Sequence, residues 1–247
     1  MEKGGLVARI DGRADDQLRQ TSIVVGYQEF AEGSALVEMG KTRVLCAVSL
    51  DDRVPPFLRG LGKGWITAEY SMLPRATQTR TPRESTEGRQ RGRSQEIQRL
   101  IGRSLRAAVD LKGLGERSLQ VDCDVLQADG GTRTASITGA YVALYQALLN
   151  LQKRGILSTV PLRSAVAAVS AGLVGGRLLL DLCYEEDSQA EVDFTLVMTD
   201  QGELVEVQGT AEGKPFAPAT LDDVLRLARK GTESLFQIQR AALLTLR

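Results

Sequence analysis

Histidine is absent from this 247-residue sequence. That absence excludes Ser-His and Cys-His nucleophilic sites, a histidine general base and every histidine-containing zinc site. Cysteine is scarce. Cys46, Cys123 and Cys183 lie far apart, each inside an apolar strand-like run, and they make no metal-binding spacing. Buried reduced thiols are the expectation, which suits a reducing compartment. Net charge is absent too: 31 Lys and Arg balance 31 Asp and Glu, so global charge points to no partner. A nucleic-acid surface would have to come from local clustering. Aromatics are only 4% of the chain, too few for extensive base stacking. No apolar run approaches the roughly 20 residues of a membrane span, and the opening Met1-Glu-Lys-Gly-Gly lacks the apolar core of a signal peptide. A cytoplasmic protein without a membrane partner is expected.

What remains for chemistry is carboxylates, arginines, backbone groups and a hard metal. Val125 to Ala140 gathers several of these. An apolar run, Leu119 to Leu126, predicts a strand; Asp129-Gly130-Gly131 breaks it; from Thr132 apolar residues recur at helical spacing through Ile137, Ala140, Tyr141, Leu144, Leu148 and Leu151. Strand, glycine turn and helix start follow in that order. A helix start offers unpaired N–H groups and a positive dipole end, which suit an anion. Arg133 adds a fork that fits phosphate. The same residues also read as an ordinary helix capped by Asp129 or Thr132. No Gly-Lys-Ser/Thr ending and no Gly-x-Gly-x-x-Gly after a strand is present, so the common nucleotide loops do not fit.

Along the chain, residues 1–20 predict an extended polar arm. Ser22–Tyr27, Ser34–Glu38 and Arg43–Leu50 predict strands, the last two joined as a hairpin at Gly40-Lys41. Gly64–Tyr70 alternates as a further strand. Leu73 to Arg93 then loses all periodicity, and its arginines, Arg75, Arg80, Arg83, Arg89, Arg91 and Arg93, face only Glu84 and Glu87. Such a loop is uncommon inside a domain; it is either a solvated charge run or functional, and an all-arginine cation set favours phosphate. It runs into a helix with Ser94 as the expected cap and an apolar stripe from Ile97 to Val109. After Pro161 the pattern restarts: strands Ala165–Val174, Arg177–Tyr184, Ala190–Thr199 and Leu204–Gln208, an acidic loop Glu185–Gln189, and a final helix capped by Thr220 and broken at Gly231. Strands with long helices packed on them make an α+β or mixed α/β layer. The expectation is one unit over residues 1–247, with halves at 14–154 and 161–230 that meet near Arg154 to Pro161.

Asp187, in the acidic loop, and Asp193, on the following strand, can converge. Two carboxylates of this kind suit Mg²⁺, although the spacing by itself favours ordinary surface charge on a half-exposed strand. Anion-binding backbone, arginines and carboxylates without histidine are the tools of phosphoryl or nucleotidyl transfer.

The chain resembles the ribonuclease PH family of phosphate-dependent tRNA nucleotidyltransferases over nearly its whole length. The resemblance rests on Arg9-Ile-Asp-Gly-Arg13 with Gln17-Leu-Arg19, on Gly64–Tyr70 with Met72-Leu-Pro-Arg75, and on Gly92–Ile101. It continues through Asp122–Gly139, Glu186-Asp-Ser with Ala190–Asp193, and Glu206–Gly213. It implies a βαβ-rich α+β fold shared with a ribosomal small-subunit protein domain. It also implies a 3′-to-5′ exoribonuclease that trims tRNA precursors with inorganic phosphate as co-substrate, releases nucleoside diphosphates, runs in reverse, and assembles as a homohexamer, a trimer of dimers. The family's phosphate ligands match Arg93, Gly131, Thr132 and Arg133. Its catalytic, Mg²⁺-holding pair matches Asp187 and Asp193, with Asp187 also a candidate proton donor. Arg75, Arg80, Arg83, Arg89 and Arg91 are then expected to bind RNA phosphates. The competing class is a non-catalytic RNA-binding ring subunit, which would lack the phosphate or carboxylate residues. A kinase-like nucleotide binder would need a glycine-rich loop that is not found.

Overall fold

The structure, a computed structural model, describes residues 9–86, 88 and 91–246. Arg89 and Glu87 therefore lie outside the described residues, as does the start of the expected arm. The first sheet has five strands: β1 (Thr21–Val25), β2 (Gly33–Met39), β3 (Thr42–Asp51), β4 (Trp65–Met72) and β5 (Ser118–Gln127), in the order β1-β2-β3-β5-β4. All pairs are antiparallel except β4 with β5. A parallel pair needs a crossover, and helix α1 (Gly92–Ala108) supplies it. Helix α2 (Thr132–Lys153) follows β5 directly. The second sheet is antiparallel, in the order β7-β6-β8-β9, from β6 (Val166–Val174), β7 (Arg177–Leu180), β8 (Val192–Thr199) and β9 (Leu204–Ala211). The short α3 (Tyr184–Asp187) stands between β7 and β8, and α4 (Pro218–Leu243) follows β9.

Alternation dictates which face of the first sheet is covered. Val37, Val44, Cys46, Val121 and Cys123 are buried, while their neighbours Glu38, Arg43, Asp122 and Asp124 point the other way. Helix α2 fits between the two sheets. It packs on β2 and β3 on one side and on β6 on the other, and is buried nearly all round at its N-terminal end. Its apolar residues belong to one core cluster that includes strands of both sheets. Gln239 of α4 ties the layers: its Nε2 donates to the carbonyls of Thr138 (3.0 Å) and Val166 (2.9 Å).

Several local expectations change. Residues 9–20 are no free arm, because Arg9 and Arg19 are buried. Helix α1 begins at Gly92, with Arg91 at the cap position; Ser94 sits within the first turn, its Oγ 2.5 Å from Glu84 Oε1. The loop before α1 is not structureless. Ala76 is buried and its carbonyl accepts from Ala128 N–H at 2.8 Å, and Glu84–Thr86 forms a 3₁₀ turn. Neither Asp129 nor Thr132 caps α2. Gly131 holds that position at φ 64°, and the Asp129 carboxylate instead accepts from Tyr184 N–H at 3.3 Å. Strand β7 stops at Leu180, because Asp181 turns the chain at φ 53°. Part of the acidic loop is α3, and β9 runs on to Ala211. Helix α4 starts at Pro218, whose missing N–H costs nothing there, so Thr220 lies inside it. Gly231 does not break α4. A Cβ there would stand 3.0 Å from Leu180, so the glycine permits close packing on the second sheet. No described helix is long and apolar enough to cross a membrane.

Close approach is tight at Gly139 of α2, where a Cβ would lie 2.7 Å from Val37 Cγ1 and 3.2 Å from Cys46 Sγ. Helix propensity alone makes Gly→Ala stabilising by about 1 kcal/mol. Overpacking a rigid core typically costs about 1–3 kcal/mol. Gly139→Ala is therefore expected to lower the urea unfolding midpoint; an unchanged or raised midpoint would contradict this packing.

Candidate active site

The turn between β5 and α2 forms one wall of a cavity of about 350 Å³. Gly130 and Gly131 both have positive φ, 73° and 64°. A side chain at Gly130 would collide with Leu182 O at 2.5 Å, so the turn can press against the 182–184 segment only as glycine. Thr132 opens α2, and its hydroxyl is 2.8 Å from Tyr70 Oη. Burial raises the Tyr70 phenol above its ordinary value, against the pull of Thr132, Arg93 and Arg133. Arg133 reaches Gln208 Oε1 at 3.2 Å and Glu96 Oε1 at 3.6 Å, which orients its guanidinium. Arg93 comes from the first turn of α1. Arg93, Gly131, Thr132, Arg133, Asp187 and Asp193 all line this one cavity, brought from α1, α2, α3 and β8.

Underneath, buried charges hold the pieces together. Asp181 accepts from Arg19 three times: backbone N–H at 2.8 Å, Nε at 3.0 Å and Nη2 at 2.6 Å. The same guanidinium donates from Nη1 to Asp129 O at 2.5 Å. Arg19 therefore fastens the glycine turn to the end of β7. Thr42 reinforces the turn, donating to Gly130 O at 2.7 Å and accepting from Asp129 N–H at 2.9 Å. A second pair positions α3: Arg9 donates to both Glu186 oxygens, at 2.8 and 2.6 Å, and to Leu180 O at 2.8 Å. Glu186 also accepts from Cys183 N–H at 3.1 Å, which fixes the first turn of α3 and thereby Asp187. Arg9, Arg19 and Glu186 carry part of the family resemblance, but neither they nor Asp181 were expected to hold the site together. A signal existed for one of them: Asp181 interrupts the apolar run Leu178–Cys183, and a carboxylate there needs a partner.

Asp187 is exposed and lines the cavity together with Asp193, Arg93 and Arg133. Desolvation by the cavity wall, then the Asp193 charge, push its pKa up; Arg93, Arg133 and Arg19 pull it down without cancelling the rise. Two carboxylates lining one cavity beside a glycine turn are a donor set for a hard divalent cation, which commonly takes one or two carboxylates plus substrate phosphates. Among the described residues no group of three or more His, Cys, Asp or Glu side chains converges on one point, so an ion held by Asp187 and Asp193 would complete its shell with other oxygens.

The arginines of the 73–93 loop are not gathered in one place. Arg75 lines a neighbouring cavity of about 660 Å³ with Arg13, Arg19 and Lys41, and that cavity shares Thr77, Ala128 and Tyr184 with the candidate site. Arg83 instead lies over the open face of the first sheet beside Glu69, Asp122 and Asp124. There, burial raises the Asp124 carboxyl while Arg83 lowers it. Arg80 is exposed, and Arg91 has its backbone N–H on Glu84 Oε2 at 3.2 Å. Arg89 lies outside the described residues.

A cavity walled by a glycine turn and two arginines and faced by carboxylates defines the class of phosphate-handling transfer sites. Comparison with known proteins narrows this. Residues 17–150 match the model of domain 1 of the 3′ exoribonuclease family, and residues 164–231 that of domain 2. The chain is 63% identical over 232 residues to Ribonuclease PH of Dehalococcoides mccartyi, covering 94% of this chain and 96% of that one. It is 54% identical to Ribonuclease PH of Syntrophomonas wolfei, covering 95% and 98%. A chain of the Archaeoglobus fulgidus exosome with RNA bound to the active site superposes with a TM-score of 0.79 at 28% identity, covering 94% of this chain and 92% of that one. The chain belongs to the 3′ exoribonuclease family, in its ribonuclease PH branch, and has that family's two-domain α+β fold.

Two outcomes follow from the buried charges. Asp181→Asn leaves Arg19 buried with its charge uncompensated, a loss of about 3–5 kcal/mol for a broken buried pair; a urea midpoint equal to the parent's would contradict the clamp. Burial alone would raise the Glu186 carboxyl, but the Arg9 bonds and Cys183 N–H outweigh it and hold the pKa below the ordinary value. A depressed folded pKa stabilises above the unfolded value and ceases to as pH falls through the folded one. Parent stability should therefore drop more steeply below about pH 4.3 than that of Glu186→Gln. Parallel acid curves would refute it.

Proposed function

We infer that this chain is a phosphorolytic 3′-to-5′ exoribonuclease that trims the 3′ ends of tRNA precursors. Inorganic phosphate is the attacking group and nucleoside diphosphates are released. The observation that carries this reading is the convergence of Arg93, Arg133, the Gly131-Thr132 turn, Asp187 and Asp193 on one cavity of a chain that aligns nearly end to end with Ribonuclease PH. In this reading the turn N–H groups and the two arginines receive inorganic phosphate and hold it in line with the last phosphodiester. A phosphate oxygen forms the new bond to the terminal nucleotide's phosphorus while the bond to the preceding 3′ oxygen breaks. The leaving oxygen takes a proton, for which Asp187, lining the cavity beside Asp193, is the candidate acid. Read backwards, the same steps add a nucleotide from a diphosphate and free phosphate. The cavity is already built before substrate arrives, because Arg133 is oriented by Gln208 and the turn is fastened by Arg19.

Asp187 and Asp193 fit a Mg²⁺ ion shared with substrate phosphates, which when bound supplies charge neutralisation at the transferring group. We assign RNA backbone binding to Arg75, Arg80, Arg83, Arg89 and Arg91, with Arg75 beside the site and Arg83 along the open sheet face. A homohexamer in the cytoplasm completes the reading; the likeness to exosome chains supports a ring assembly. The halves 14–154 and 161–230 are assigned as a phosphate-binding and a carboxylate-bearing unit. The presence of both phosphate and carboxylate residues disfavours a non-catalytic ring subunit.

Arg93→Ala is expected to raise the phosphate KM by about tenfold or more, a loss of about 1.4 kcal/mol or beyond, with a smaller change in kcat; Arg93→Lys should recover part of it. Steady-state kinetics with varied phosphate on a short-tailed tRNA precursor read this directly. A phosphate KM unchanged in Arg93→Ala would remove that residue from the phosphate site.

A further inference from the structure

Tyr70 meets the candidate site through a single atom. Alternation along β4 turns Ile66, Ala68 and Tyr70 into the core, while Glu69 and Ser71 face outward. Strand β4 lies parallel to β5, with Tyr70 beside Cys123, and the chain passes from β5 through the glycine turn into α2. The phenol therefore reaches from β4 to the first residue of α2, where Tyr70 Oη and Thr132 Oγ1 are 2.8 Å apart. That distance establishes the hydrogen bond but not which oxygen gives the proton.

Burial decides the direction. Tyr70 is 5% exposed, and Thr132 Oγ1 is the hydrogen-bond partner of its hydroxyl among the described residues. Burial also raises the phenol pKa, so the proton stays on Tyr70 at neutral pH. A buried donor left without an acceptor loses its hydration and gains nothing in return. If Thr132 gave the proton, the Tyr70 proton would be stranded in this way. Thr132 is in the opposite position. It is part-buried and lines the cavity with Arg93, Gly131 and Arg133, so its own proton has somewhere to go.

We propose that Tyr70 donates to Thr132 Oγ1 and thereby directs the Thr132 O–H into the cavity, as a donor preset for an oxygen of inorganic phosphate. Tyr70 is then a positioning residue: it acts through Thr132 and does not touch the anion. The bond removes the orientation in which Thr132 would point back at β4. It also polarises the hydroxyl, which strengthens the bond that Thr132 gives. A donor aimed before the anion arrives needs no reorganisation when it binds. The proposal deepens the phosphorolytic reading and rests on its placement of phosphate at Thr132.

Calorimetric titration of inorganic phosphate into the RNA-free protein tests it. Tyr70→Phe deletes the hydroxyl and keeps the ring, and should weaken phosphate binding roughly threefold or more. Thr132→Val should weaken it at least as much. Adding Tyr70→Phe to Thr132→Val should then change nothing further, because Tyr70 acts through that hydroxyl. In steady-state phosphorolysis Tyr70→Phe should raise the phosphate KM by the same factor and leave the RNA KM at the parent's value, a split that a loosened fold would not give. Phosphate affinity in Tyr70→Phe equal to the parent's would overturn the proposal. So would losses that multiply in the double variant. A parent that binds phosphate but forms no nucleoside diphosphate would sink the phosphorolytic reading instead, and the binding series would still decide the role of Tyr70.

Discussion

The Arg19–Asp181 pair is the contact on which the candidate site depends. Burying two charges costs several kcal/mol per ion, and that cost is offset only when the lone pairs and protons are used. Here Asp181 receives three donors of Arg19, and Arg19 gives another to Asp129 O. The geometry carries backbone strain, since Asp181 is the one non-glycine residue at positive φ among those described. The consequence is mechanical. The β5–α2 turn, the end of β7 and the N-terminal segment meet at one guanidinium. Neither Arg19 nor Asp181 lines the cavity, so the turn is fastened without a side chain of the pair standing in it.

Helix α2 extends this logic. Its first turn lines the candidate cavity, while its body is locked between the sheets and cannot shift without repacking both. Gly139 lets it approach β2, and Thr138 lies within hydrogen-bond range of Ala168 in β6, accepting its N–H at 3.2 Å. A site built on the end of such a helix inherits its rigidity, which suits chemistry that works by positioning charge.

How much of this the sequence disclosed follows from the range of each interaction. The glycine turn and the helix behind it were legible because each is a local pattern, read over a few residues; the carboxylates were singled out through the family resemblance, since their spacing alone reads as surface charge. The α+β architecture was legible from periodicity in the same way. The clamp was not: Arg19 and Asp181 are 162 positions apart, and an interrupted apolar run shows that Asp181 needs a cation without showing which. Gly231 misled because helix propensity is a local quantity, whereas the residue answers to Leu180 and Val169 across the core. Ser94 misled likewise, since its hydroxyl is taken by Glu84 of the preceding loop. The scatter of the loop arginines was hidden too. Arg75 stays beside the site, while Arg83 is drawn to Asp124 on the sheet face.

A phosphate held at the Gly131-Thr132 turn should become part of the product. The decisive measurement is to incubate the protein with Mg²⁺, a short-tailed tRNA precursor and ³²P-labelled inorganic phosphate. Labelled nucleoside diphosphates carrying the isotope at the β position are expected. Unlabelled nucleoside monophosphates, formed equally well without phosphate, would mean that water and not phosphate is the attacking group.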